Sequence, residues 1–156
     1  MATKPKKPTA KVAKAAAKPV PAPPVLADVR AHIDGIDRQI GLTERLAAVF
    51  DDRRHPSYID HPLRDLFAQR IYQIASGYED GNDANTLRRD PMFKIGLERA
   101  PLDPAIDLAS AATVSRLENA ATTQDRYRLA RALVDQFMAS YATPPAIIVL
   151  DMDHSE

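Results

Sequence analysis

Two aspartates follow an apolar run in AIIVLDMDHSE, at Ala146–Glu156. The run is short and rich in β-branched residues, which is typical of a β-strand that is buried on both faces. Alternate side chains of a strand share one face, so Asp151 and Asp153 would lie side by side and could approach one metal ion. Alternatively, both carboxylates are solvated residues at a strand end. The elements around this strand must decide between the two interpretations.

Helices are predicted over most of the preceding chain. LADVRAHIDGIDRQI places five apolar residues at alternating spacings of three and four, which predicts one apolar stripe on a helix. Gly41 should end that helix, and Thr43 can cap a short second one that runs to Phe50. Pro62 suits the first position of a further helix. Its predicted face contains Leu63, Leu66, Phe67, Ile71, Ile74 and Tyr78.

The last long helix precedes the predicted strand. Thr122 or Thr123 should cap it, and Pro144 and Pro145 should follow its end. Its apolar face contains Tyr127, Ala130, Leu133, Val134, Phe137 and Tyr141. A strand that is covered on both faces needs a sheet, yet the sequence offers no second convincing strand. The predicted fold is therefore mainly α: a helical domain at 25–142, then at 143–156 the first strand of a truncated α/β domain.

Composition excludes several classes of protein. The chain has 156 residues, which suits one domain, and no cysteine, which excludes disulfides, zinc–thiolate sites and cysteine nucleophiles. No apolar run approaches the length of about 20 residues that a membrane span requires. We therefore expect a cytoplasmic protein, associated with the nucleoid if the DNA contacts considered below are made.

The net charge of zero hides a cationic N-terminal segment and an acidic body. Residues 1–24 carry no acid, and residues 25–156 carry 15 Lys and Arg against 21 Asp and Glu. The segment contains little that it could bury, so we expect it to be disordered. It either binds DNA or RNA phosphates without sequence preference or serves as a solvated linker. Its candidate DNA-binding residues are Lys4, Lys6, Lys7, Lys11, Lys14 and Lys18.

Four arginines of the body are further candidates for contact with DNA. Arg88 and Arg89 lie in LRRDP, and Arg128 and Arg131 lie in DRYRLAR. Ion pairs along a helix, such as Asp125 with Arg128, would explain the second pair without DNA. The acidic charge of the body also opposes DNA binding.

Longer blocks carry a resemblance to a known family. IDRQIGLTERLAAVFDDRRHPSYIDHPLRDLFAQRIYQIASGYEDGNDANTLRRDPMFK at 36–94, LASAATVSRLEN at 108–119 and TPPAIIVLDMDHSE at 143–156 resemble the insertion-sequence DDE transposases, specifically the insertion-sequence 1380 family. The resemblance covers roughly three quarters of the chain, and GYEDGNDANTLRRDPMFK is its most specific part. The first 35 or so residues do not resemble the usual start of such a protein, which suggests a fused or rearranged N-terminus.

The resemblance implies a catalytic domain with a ribonuclease-H-like fold. Two or three carboxylates in such a domain hold Mg²⁺ or Mn²⁺ for DNA strand cleavage and transfer. The first catalytic aspartate lies on the first strand, and related transposases have Thr or Ser two residues after it. Ser155 follows Asp153 at that spacing, so Asp153 is the expected catalytic and metal-binding residue, with Asp151 as the alternative.

The same resemblance implies that the chain is a truncated transposase. Relatives continue to a second aspartate and a glutamate, without which we expect no bound metal and no cleavage by this chain alone. The sequence alone does not decide whether the chain acts as an enzyme. The expected partners are the terminal inverted repeats of a transposon, with a homo-oligomer as a further expectation.

A second interpretation treats the chain as a small helical enzyme or dimerisation module. VRAHIDGIDRQI is similar to the first helix of the all-helical chorismate mutases, which hold a dicarboxylate with Arg and Lys side chains. That helix should continue for several more turns, whereas Gly41 interrupts it here.

Overall fold

The computed structural model describes residues 24–149, and side chains from residue 32 onward. It confirms the mainly helical prediction: within this range there are seven α-helices, two 3-10 turns and no strand. The helices are α1 Pro24–Ile40, α2 Leu42–Val49, α3 Leu63–Ala75, α4 Ala84–Leu87, α5 Pro91–Gly96, α6 Ala111–Ala120 and α7 Thr123–Ala139. None of these helices is both long enough and apolar enough to cross a membrane.

Several helices begin directly after a residue whose side chain accepts hydrogen bonds from amides in the first turn. The Asp90 carboxylate accepts hydrogen bonds from the amides of Met92 and Phe93, and Pro91 takes the first position of α5. Ser110 caps α6 in the same way. Thr122 caps α7, as the sequence predicts, and forms a capping box with Asp125. Four otherwise unpaired N–H groups open every helix, and these caps satisfy some of them.

The turn between α1 and α2 depends on one glycine and one buried carboxylate. Gly41 has a φ of 68°, in the left-handed region that glycine adopts without steric cost. The predicted end of the first helix at this residue is confirmed. Asp37 Oδ1 accepts from the Thr43 amide at 2.9 Å, and Asp37 Oδ2 accepts from the Thr43 hydroxyl at 2.5 Å. The first two helices are therefore joined by side-chain bonds as well as by the chain itself.

The same carboxylate connects this turn to α3. The Tyr72 hydroxyl donates to Asp37 Oδ2 at 2.9 Å, and all three polar residues of the network are buried. Burial, followed by the hydrogen bond to Asp37, raises the pKa of Tyr72 well above its ordinary value. The phenol is consequently neutral and serves as a hydrogen-bond donor.

Two apolar clusters form the core, and α3 contributes residues to both. One contains Ala68, Tyr72, Leu87, Phe93, Leu97 and Leu108. The other contains Leu66, Ala84, Ala109, Ala111 and Val114. The buried side of α3 also carries Gln69 and Gln73, whereas Ile74, predicted on the apolar face, is half exposed. The predicted face of this helix was therefore partly wrong: Gln69 lies on its buried side, where it bonds to the connection that leads to α6.

The predicted apolar face of α7 does not form part of the core. Asp125 and Ala132 are the residues of α7 that are buried, on the side that packs against the rest of the domain. Val134 and Phe137 stay 56% and 45% exposed. The pattern predicted the helix and its stripe, but the stripe faces away from the described body.

The apolar run after α7 has no strand conformation in its described part. Residues 146–149 are irregular, and Ile147 and Val149 are more than four-fifths exposed. A strand is stabilised by hydrogen bonds to a neighbouring strand, and residues 24–149 supply none. The prediction of a strand is thus not met at 146–149, while residues 150–156, with Asp151 and Asp153, lie outside the described residues.

Candidate nucleic-acid interface

A cleft of about 400 Å³ lies between the loop after α2 and helix α6. Its lining includes Phe50, Tyr58, Leu66, Thr113, Leu117 and Ala120, together with charged residues from the loop. Within that loop, Arg54 makes a two-pronged contact with Asp52, at 2.7 Å from Nε to Oδ1 and 2.6 Å from Nη2 to Oδ2. This hydrogen-bonded arginine lowers the pKa of Asp52. Arg54 also donates to the His61 carbonyl at 3.0 Å, which closes the loop on itself.

Arg53 joins the loop to the N-terminus of α7. Its guanidinium lies 3.1 Å from Asp125 Oδ2 and 3.0 Å from Asp51. The Thr122 hydroxyl donates to Asp125 at 2.5 Å and the Thr122 amide at 3.0 Å. These bonds from Thr122, together with Arg53, lower the pKa of Asp125 to about 2. Asp125 is therefore ionised at every ordinary pH and fixes the loop against α7.

The charges that line the cleft balance one another. Three aspartates, Asp51, Asp52 and Asp60, face three arginines, Arg53, Arg54 and Arg116. Burial is the main cause that lowers the pKa of His61, so this imidazole is neutral at pH 7. A cleft without net charge gives no preference for a phosphate, so its size alone does not make it a DNA site.

A groove between α2 and α7 has a different charge balance. Arg45, Arg128 and Arg131 line it with a single acid, Asp135. The Arg45 Nε donates to Gln136 at 2.9 Å, and Arg128 lies 3.8 Å from Asp125. Arg131 has no ion pair among the described residues. Three guanidinium groups on one groove can meet successive phosphates of a nucleic acid, because each is always charged and can make forked hydrogen bonds.

The candidate residues from the sequence fall into three places. Arg88 and Arg89 both contact Asp107, at 2.7 and 3.2 Å. Burial opposes the ionisation of Asp107, but the two arginines outweigh it and lower the pKa. Arg128 and Arg131 line the groove, as described above. The six lysines of the first 24 residues and both terminal aspartates lie outside the described residues.

Arg45 was missed in the sequence. It lies in a short helix with no neighbouring basic residue, so nothing local marks it. Its position depends on the packing of α2 against α7, which brings residues 45 and 136 within hydrogen-bond distance. Only the tertiary contact makes it part of a basic groove.

No group of three or more His, Asp or Glu side chains that could hold a metal ion occurs in the described part of the chain. His55 accepts a hydrogen bond from the Ser57 amide at 3.3 Å, so it caps a 3-10 turn. No step through a metal therefore follows from the geometry of the described residues.

The ionisation of Asp125 makes a prediction about pH. Because its pKa in the folded chain is depressed from 3.8 to about 2, it stabilises the fold above pH 4. That contribution is lost as the pH falls from about 4 to about 2. We expect the free energy of unfolding, measured by urea denaturation, to fall more steeply over this range in the wild type than in Asp125→Asn. Glu44→Gln, at an exposed site on α2, is the control, and equal slopes for all three proteins would contradict the assignment.

Comparisons with known proteins agree with the resemblance at the level of the family. The family model described as transposase DDE domain group 1 matches residues 32–156, which is most of the chain. Neither a curated protein nor a solved structure matches the chain. The matched range begins within α1 and includes every element from α2 to α7 as well as both terminal aspartates. The chain therefore belongs to the transposase DDE domain group 1 family.

Proposed function

We propose that the helical body holds DNA of a mobile element through its phosphates, with the basic groove of α2 and α7 as the docking surface. Membership of the family points to DNA transposition and to DNA as a partner. The observation that carries the proposal is the groove itself, where Arg45, Arg128 and Arg131 face one acid. Such contacts set the position on a duplex and do not read its sequence.

The lysine-rich segment is the second part of this surface. Six lysines without an acid at 1–24 supply a positive charge that the body, with its excess of acids, lacks. Each phosphate neutralised by a lysine releases a counterion, so the segment adds affinity that is strongly salt-dependent. Arg88 and Arg89 are a weaker third candidate, because both are already paired with Asp107.

The remaining assignments follow the family and the sequence. We assign residues 25–142 to a helical N-terminal domain and residues 143–156 to the first strand of a ribonuclease-H-like catalytic domain, in an element of the insertion-sequence 1380 type. DDE transposases are generally metal-dependent. Asp153, or Asp151 as the alternative, would be the first carboxylate of the site, with the two other acids supplied by sequence that these 156 residues do not contain.

Arg131→Ala should weaken DNA binding. We expect a several-fold loss of affinity for a labelled random-sequence duplex, measured by fluorescence anisotropy across a salt series. The slope of log K against log salt should fall by about 0.9, since one phosphate contact is lost.

Deleting residues 1–23 should lower that slope by up to about 5, for six lysines. A decrease in the slope after the deletion would show that the segment contacts phosphates, and an unchanged slope would show that it is a linker.

Arg116→Ala is the matched control, because it removes the same charge at an exposed site on α6, in the cleft that has no net charge. If it weakens binding as much as Arg131→Ala, the effect comes from net charge and the groove has no special role. Binding that is unchanged in Arg131→Ala would also contradict the proposal.

We further propose that these 156 residues bind DNA without cleaving it. The support is the family resemblance, since relatives continue to a second aspartate and a glutamate, and two-metal chemistry needs several carboxylates around both ions. Supercoiled plasmid carrying terminal inverted repeats of an insertion sequence, incubated with Mg²⁺ or Mn²⁺, should stay intact. Nicking above background that Asp153→Asn abolishes would overturn this part, and would identify Asp153 as catalytic.

A further inference from the structure

The cleft between the loop after α2 and helix α6 contains two charged side chains that have no charged partner. Four of its six charges cancel in two aspartate–arginine pairs within the loop, at 3.0 and 2.6 Å. The other two are Asp60 and Arg116, which are both exposed. Neither side chain forms an ion pair or a hydrogen bond with another described residue. The cleft is therefore neutral as a whole but presents one available acceptor and one available cation.

Much of the remaining lining is apolar or aromatic. Phe50, Leu66 and Leu117 belong to it. Tyr58 also lines the cleft, is 82% exposed and lies against His55 with ring centroids 5.7 Å apart. A volume of about 400 Å³ suits a small organic ligand rather than a single ion. A bare phosphate gains nothing from a neutral cleft, whereas a flat ligand with a donor edge and an anion meets both available charges.

We propose that the cleft binds one nucleotide whose base is unpaired, and that it prefers guanine. The choice of a nucleotide rests on the proposed function, because the cleft adjoins the basic groove: Val49 lines the groove and the next residue, Phe50, lines the cleft. An unpaired base can stack on an aromatic side chain and offer its Watson–Crick edge. In duplex DNA that edge is already paired, so Arg116 adds only its charge to the binding of a duplex.

Guanine is the base whose Watson–Crick edge suits Asp60. It presents two neighbouring donors, the ring N–H and the exocyclic amino group, and a carboxylate accepts two such bonds side by side. The other bases place an acceptor beside each donor, and that acceptor would face a carboxylate oxygen. Arg116 holds the phosphate through forked hydrogen bonds, and the ring of Tyr58 stacks on the base.

The first test is isothermal titration calorimetry of the full chain with guanosine monophosphate and adenosine monophosphate. The wild type should bind the guanine nucleotide roughly tenfold more tightly, as one two-bond contact with a base edge predicts. Asp60→Asn should reverse this preference, because an amide can accept from the adenine amino group and donate to the neighbouring ring nitrogen. Glu44→Gln removes an acid at an exposed site outside the cleft and should keep the wild-type preference. Absence of binding, equal affinities in the wild type, or a guanine preference that persists in Asp60→Asn would overturn the proposal.

Arg116→Ala separates the contact with the phosphate from the contact with the base. It should weaken the binding of guanosine monophosphate several-fold and leave the binding of guanosine, which has no phosphate, unchanged. Equal losses for the two ligands would contradict the contact between Arg116 and the phosphate.

The source of the nucleotide is tested with DNA. Fluorescence anisotropy compares a blunt duplex with the same duplex carrying one unpaired guanine or one unpaired adenine at its end. Tighter binding of the guanine overhang, lost in Asp60→Asn, would support a base of the DNA strand as the occupant. Equal binding of the three duplexes, with guanosine monophosphate still bound, would support a free nucleotide. Arg131→Ala should bind guanosine monophosphate as the wild type does, so a failure of the groove and a failure of the cleft give different results.

Discussion

Asp37→Ala should destabilise the fold by about 4 kcal/mol, because one substitution leaves three buried donors without an acceptor. The carboxylate accepts from the Thr43 amide, the Thr43 hydroxyl and the Tyr72 hydroxyl. Thr43 and Tyr72 are 1% and 3% exposed, so water cannot easily replace the lost acceptor. A small domain has a total stability of about 5–15 kcal/mol. Urea denaturation followed by circular dichroism should therefore show a large fall in the midpoint, and in marginal conditions loss of folding.

Tyr72→Phe is the matched comparison for this network. It removes one donor and leaves the carboxylate with its other two, so we expect a cost of about 1 kcal/mol. The double variant should cost less than the sum of the two single variants, because without the hydroxyl one fewer donor is left unpaired. Strict additivity would mean that the hydrogen bond between the Tyr72 hydroxyl and Asp37 contributes nothing to stability.

Gln69→Leu should cost about 3 kcal/mol, although it places an apolar side chain in an apolar region. The side-chain amide of Gln69 forms two hydrogen bonds with the backbone of Ala109, and we call this pair of bonds the bracket. Its Nε2 donates to the Ala109 carbonyl at 2.8 Å, and its Oε1 accepts from the Ala109 amide at 2.9 Å. Ala109 is fully buried, so leucine would leave an unpaired N–H and an unpaired carbonyl. The free energy of unfolding in urea measures the loss.

Gln73→Leu is the control, one turn along the same helix. Both polar atoms of Gln73 are buried without a hydrogen-bond partner among the described residues, so leucine there should be neutral or stabilising. Gln69→Glu adds a second check. An ionised carboxylate would repel the Ala109 carbonyl at pH 7, whereas the protonated acid can donate to it, so this variant should recover stability on acidification. Equal losses in Gln69→Leu and Gln73→Leu would contradict the role assigned to the bracket.

The difference between these two glutamines shows what the sequence can and cannot predict. Helix ends depend on residues close in sequence, so Gly41 and Thr122 could be assigned from local patterns alone. The bracket joins residues 40 positions apart, and no local pattern distinguishes Gln69 from Gln73. The stripe on α7 was recognisable, but which side of the helix meets the body depends on packing against α2. Arg45 was missed from the candidate interface for the same reason, because its place beside Arg128 and Arg131 is set by that packing.

The helix caps have a consequence for how the chain folds. Asp90, Ser110 and Thr122 each bond to amides within three residues, so the starts of α5, α6 and α7 are specified before any distant contact exists. Turns of this kind can form transiently in less than about a microsecond, well before a domain collapses. Contacts between distant residues, such as that of Gln69 with Ala109, must wait until a long loop closes. We expect the helix starts to appear early in refolding and the bracket to close late, so that the Ala109 amide is among the last to gain protection from exchange with solvent.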